Sequence, residues 1–168
     1  MTEKSIIALL AERGVQVSDV AEIVYSMQKP YHPLLELEDC QESVLAVLQK
    51  REVQYTLITG IALDMLAEQK QLPSPLQQIM EADEPLYGVD ETMALGIISV
   101  YGMIGLTSFG YLDKEKYGII RRLNDHRDRV HVFLDDLVAG LAAAASARIA
   151  HNDEKVTNYE RTTPKDKK

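Results

Sequence analysis

Two adjacent carboxylates, Asp135 and Asp136, stand inside the run HVFLDDLVAGLAAAASARIA, residues 131–150, with no further charge until Arg148. Alanine and leucine in this proportion favour a helix. An unpartnered buried carboxylate is costly enough to take up a proton, find a cation or bind a metal. The chain must therefore offer these acids a partner.

Helical periodicity continues along the chain. Ile6, Ile7, Leu9 and Leu10 predict a first helix stopping at Gly14. A second is expected to be capped by Ser18, with Val20, Ile23, Val24 and Met27 on one face, and to end before Pro30. Glu36, Glu38 and Asp39 suit the N-terminus of a third, and a fourth covers about 51–70 until PSP at 73–75 breaks it. LQQIMEAD makes a short fifth, the 113–129 segment a short helix and turn, and the last long helix runs from about 129 to 150. No strand-like alternation or internal repeat occurs. The expectation is all-α: a single-domain helical bundle over 1–152 with a central apolar helix surrounded by others, and a polar, mobile tail over 153–168.

That central helix is expected from about Val89 and contains Thr92–Leu112, 21 consecutive uncharged residues. The length would nominally span a bilayer. Four glycines, two serines and two threonines within it favour close packing by other helices instead. A net charge of −8 argues against binding nucleic acid through bulk attraction to phosphate, while leaving room for a local basic patch on an anionic lipid. The single cysteine, Cys40, excludes an intrachain disulfide and a cysteine-rich zinc site. The N-terminus has no secretory cleavage pattern, so a cytoplasmic location is expected.

Carboxylates occur within or at the edge of apolar helices in four places: Asp64, Asp90–Glu91, Asp113 and Asp135–Asp136. Neighbouring helical residues diverge by about 100°, so one acid of each pair can face a central cleft. Several helices donating inward acids is how bundles build divalent-metal sites, and oxygen-only ligands favour Mg²⁺, with Mn²⁺ as the alternative. The competing reading pairs these acids with Lys116, Arg121, Arg122, Arg127 or Arg129, and places Asp64 on a solvated edge beside Glu68 and Lys70. Metal beside several cations is the arrangement phosphoryl chemistry needs. His126 and His131 lack a third partner at zinc-ligand spacing.

In this order, YGVDETMALG, YLDKEKYGIIRR and FLDDLVAGL resemble the phosphatidylglycerophosphatase A family, over roughly residues 57–150. The matches are Asp90–Glu91, then Asp113 and Lys116 with Arg121 following, then Asp135–Asp136 with Ala139 and Gly140. Residues 1–56 hold no counterpart of the Pro-Gly-Thr segment of membrane-embedded members, and Tyr117 stands where those usually carry proline, so the likeness is to a shorter, soluble-looking branch. The resemblance implies Mg²⁺-dependent removal of the terminal phosphate of phosphatidylglycerophosphate in phospholipid synthesis. It implies Asp90, Glu91, Asp135 and Asp136 as metal ligands, with Lys116 and Arg121 on the substrate phosphate. Asp113, Asp135 and Asp136 are then the catalytic carboxylates, one serving as general base or nucleophile. A phospholipid substrate would bring peripheral contact with the inner face of the membrane. Two alternatives stand beside this: the same site acting on a soluble phosphomonoester, or a non-catalytic helical protein that self-associates into a homo-oligomer.

Overall fold

The computed structural model describes residues 3–126 and 128–152, all helix, turn or loop, with no strand among them. Arg127 and the polar segment 153–168 lie outside the described residues.

Four helices form the first half: α1 (Glu3–Glu12), α2 (Val17–Gln28), α3 (Leu37–Leu48) and α4 (Arg51–Glu68). The cap of α2 is Gln16, not Ser18: its backbone N–H donates to the Asp19 carboxylate at 2.8 Å. Glu36 and Asp39 repeat the arrangement at the start of α3, also at 2.8 Å. In both cases an acid in the first turn satisfies a backbone donor that the helix itself leaves unpaired. A short α5 (Leu76–Ala82) follows the proline break.

The apolar 92–112 run is not one helix. It is split into α6 (Val89–Ile98), a single 3₁₀ turn (Ser99–Tyr101) and α7 (Gly102–Glu115). Gly102 at the junction has φ +73°, a backbone conformation that side chains with a Cβ rarely adopt. The chain there folds back on itself. Ala94 of α6 packs on Gly140, Gly105 of α7 faces both Ile98 and Ala147, and Lys116, just past α7, reaches Asp135. The two arms, 10 and 14 residues long, rise about 15 and 21 Å, each short of the ~30 Å hydrocarbon core of a bilayer. Only 28% of the most apolar 18-residue window in Val89–Glu115 is buried, although its length and composition would permit a span.

The surrounded central helix is instead α9 (Leu134–His151), in which every residue from Leu134 to Ala147 is buried. α2, α3, α4, α6, α7 and the short α8 (Ile119–Asn124) all pack on it. Its alanines and Gly140 are the reason. Small side chains on every face let six neighbours come close, and a Cβ at Gly140 would sit 3.3 Å from the Ala94 carbonyl oxygen. A second tight crossing joins α4 to α9, where a Cβ on Gly60 would collide with Leu137 Cδ1. These crossings hold α4 and α6 against the N-terminal turns of α9, where the paired acids stand.

Candidate metal and phosphate site

Because the α6–α7 hairpin closes on itself, its two acidic ends arrive at the same place. Asp90 and Glu91 occupy the first turn of α6, Asp113 the last turn of α7, and Asp135 and Asp136 the first turn of α9. Lys116 ends α7 in the left-handed conformation, φ +39°, and its ammonium sits among these acids. Its Nζ lies 2.8 Å from Asp135 Oδ2, 3.3 Å from Asp113 Oδ1 and 3.6 Å from Asp136 Oδ1.

The two adjacent aspartates have different surroundings. Asp135, 6% exposed, accepts the Lys116 hydrogen bond. Asp136 is 4% exposed, and its Oδ1 has no hydrogen-bond partner. Burial pushes both carboxyls above the usual carboxylate range; the charge of Asp135 adds to the rise at Asp136, and Lys116 partly offsets it at both. Burial also raises Asp90, and raises Glu91 with help from the charges of Asp90 and Asp113. Burial pulls the Lys116 ammonium down, but Asp135, with Asp136 and Asp113, outweighs it, and the amine holds its proton more tightly than a free lysine. More negative charge is gathered here than one lysine neutralises.

An oxygen from each of Asp90, Glu91 and Asp136 lies within 4.8 Å of the others. Three carboxylates gathered this closely could hold one metal ion. The donor set is all oxygen, and the buried Asp136 Oδ1 is the atom left unsatisfied. The residues fit a hard divalent cation.

Other expected residues fall differently. Arg121 is exposed and not among the acids: its Nε donates to the Lys116 carbonyl at 2.8 Å and its Nη2 to that of Glu115 at 3.3 Å, tying off the C-terminus of α7. Arg122 pairs with Asp19, and Arg129 donates to the Glu12 carbonyl. Asp64 is not on a solvated edge. It is fully buried and accepts the backbone N–H groups of Phe133 (3.1 Å) and Leu134 (3.0 Å), capping α9 from α4. Glu68 pairs with Arg13 rather than Lys70, and Arg13 also holds the Val130 carbonyl at 2.8 Å. The His126 and His131 rings meet edge to face at 5.5 Å, and burial, with the Arg13 charge, pulls His131 down to about 4. No histidine joins a carboxylate cluster of metal-binding size among the described residues.

Asp83 carried no signal in the sequence, standing in an ordinary polar turn. It ends α5 at φ +46°, and its charge helps raise both Asp90 and Asp135. With Asp135 it lines an open cavity of about 510 Å³ whose other walls include Lys70, Glu81, His126 and Arg129.

In this helical bundle three helix ends deliver carboxylates to one lysine and leave a buried acidic oxygen without a hydrogen bond. The family model for Phosphatidylglycerophosphatase A matches residues 6–151, and the chain belongs to that family, a family of phosphoric monoester hydrolases. It is 55% identical over 153 residues to YpjQ of Bacillus subtilis (strain 168), covering 91% of this chain and 86% of that protein. To YutG of the same organism it is 56% identical over 145 residues, 86% and 87% of the two chains. The crystal structure of YpjQ superposes with a TM-score of 0.87 at 54% identity, over 92% of this chain and 96% of that one. The low temperature requirement C protein of Listeria monocytogenes also gives 0.87, at 52% identity, over 90% and 96%.

Proposed function

We propose that this chain is a Mg²⁺-dependent phosphatase that hydrolyses the terminal phosphate monoester of phosphatidylglycerophosphate. The observation that carries the reading is Asp136: buried, with its Oδ1 lacking a hydrogen bond and a carboxylate oxygen within 4.8 Å of one from each of Asp90 and Glu91. Asp90, Glu91 and Asp136 would hold the cation, with Mn²⁺ able to replace Mg²⁺. Bound there, the ion would supply charge stabilisation at the phosphoryl oxygens and lower the pKa of water. Lys116 donates to a non-bridging phosphate oxygen, and Asp135 keeps that ammonium charged and in place. Arg121 acts through the backbone it ties down, fixing Lys116, rather than by touching phosphate. Asp113, with its side chain 34% exposed, would take the proton of the attacking water and return it to the departing glycerol oxygen as the P–O bond breaks.

A second reading keeps the chemistry and changes the substrate to a soluble phosphomonoester. The charged cavity against Asp135 favours it, because its walls suit a polar alcohol better than acyl chains. The test is phosphate release from phosphatidylglycerophosphate and from glycerol and sugar phosphates, in Mg²⁺ and in EDTA, beside Asp136→Asn. Release from the lipid that needs Mg²⁺ and is lost in the variant is expected. Release from small esters alone would move the assignment to the second reading, and release indifferent to EDTA would overturn both.

A further inference from the structure

The hairpin leaves its outer side bare. Leu95, Val100, Met103, Ile104, Leu106 and Tyr111 are all exposed, Met103 to 72%, along a stretch with no charge from 92 to 112. On α7 the division is sharp. Gly105, Phe109 and Leu112 are buried towards the bundle, whereas Met103, Thr107, Tyr111 and Lys114 recur at three- and four-residue intervals on the opposite side. Two hydroxyl groups of this hairpin bond back to its own backbone. Thr107 donates to the Met103 and Ile104 carbonyls (3.3 and 3.1 Å), and Ser99 to that of Gly96 (3.1 Å). Removing water from them therefore leaves no donor unsatisfied.

We propose that the outer face of α7 and the adjoining hairpin tip dock on an anionic lipid bilayer, with α7 lying in the plane of the interface. The proposal rests on the lipid-phosphate reading of the site. Three features favour a bilayer over other occupants. First, charge is complementary: Lys114 stands on the same face as Met103, and exposed Arg121 follows beyond the helix, in a chain of net charge −8. Glu115 falls about 100° further round the helix. Second, tyrosines mark the rim. Tyr111 and Tyr117 meet edge on at 6.4 Å, and with the exposed Tyr31 they line a groove of about 850 Å³ beside Ile104. Rings with a polar tip settle at the headgroup level of membranes. Third, the face is continuous with the site. α7 carries Asp113 in its last turn and is followed at once by Lys116, so a flat-lying α7 holds both at headgroup height. An amphipathic helix in this position buries its apolar side about 5–10 Å into the headgroup and acyl boundary.

The experiment is co-sedimentation of the protein with phosphatidylglycerol–phosphatidylcholine vesicles and with phosphatidylcholine vesicles. It is run beside light scattering and Mg²⁺-dependent release from p-nitrophenyl phosphate. Met103→Glu and Leu106→Glu, both at exposed positions, should each lower partitioning onto the anionic vesicles by about tenfold or more and leave release from the soluble ester unchanged. Tyr55→Glu, on exposed α4 surface away from α7, should change neither. Wild-type protein that stays in the supernatant, or variants that sediment like wild type, would overturn the docking surface. A wild-type dimer that Met103→Glu splits, without vesicle binding by either, would assign the face to a second copy. Anionic-vesicle binding that Met103→Glu abolishes, with no phosphate released from any ester by wild type, supports the docking surface and overturns the reading of the site.

Discussion

Asp64 and Asp136 are both aspartates on helices packed deep in the bundle, and both are almost fully enclosed. Asp64 receives two backbone N–H groups from the start of α9, the donors that a helix N-terminus offers in any fold. Asp136, in that same first turn, has one oxygen without a hydrogen bond and lies among Lys116 and other carboxylates. The first is closed by the chain itself and serves architecture. The second is left with a lysine ammonium 3.6 Å away and no hydrogen bond at that oxygen. A buried acid is thus no sign of function until its partners are counted.

The largest expected effect separates the two by activity. Asp136→Asn should lower Mg²⁺-dependent phosphate release by about a hundredfold or more, whereas Asp64→Asn, which keeps an acceptor for α9, should leave turnover per folded molecule nearly intact. Equal losses in steady-state assays would erase the distinction.

Stability should divide them the other way. Asp64→Ala strands two buried backbone donors and should cost about 2–5 kcal/mol in urea unfolding. Removing the unbonded acid with Asp136→Ala should leave the metal-free protein no less stable, because it relieves like-charge repulsion with Asp135. A metal-free Asp136→Ala as unstable as Asp64→Ala would mean that the open acid is structural after all.

Metal sharpens the same contrast. Mg²⁺ at a hundredfold above its dissociation constant should stabilise wild type by about 2.7 kcal/mol, measured as the shift in the urea midpoint. Asp64→Asn should keep that gain and Asp136→Asn should lose it.

The smallest effect is on pH dependence. Burial raises the Asp64 carboxyl to about 7, above its unfolded value of about 3.9. Its contribution to stability is therefore complete below about pH 4 and is lost as the pH rises through about 7. Metal-free wild type should become less stable across this range, with Asp135 and Asp136, also raised, acting in the same direction. Denaturation series at several pH values should give Asp64→Asn a shallower decline.

Local chemistry made much of this legible in the chain. Helical periodicity, the proline break at 73–75, and the acids at 90–91, 113 and 135–136 follow from side-chain type and spacing, and the structure brings those acids together around Lys116. The structure departs from the expected central helix because hydropathy is not burial. The leucine-, isoleucine- and methionine-rich 92–112 run looked more like a centre than the alanine-rich 134–147 run, yet the alanines are enclosed and much of the other is bare. Small side chains contribute little hydropathy each but admit neighbours on every side.

The amino-acid sequence by itself determined that the chain is helical, which acids lie in apolar surroundings, and to which family it belongs. These rest on periodicity, composition and motif order, all of which are local. Tertiary structure alone decided that Gly102 folds the apolar run back, so that Asp90 and Lys116 meet at Asp136. It decided too that Asp64 caps α9 while Asp136 stays open, and that Asp83 stands near the site. Each of these depends on contacts between residues far apart in the chain, which no spacing along a single helix can encode.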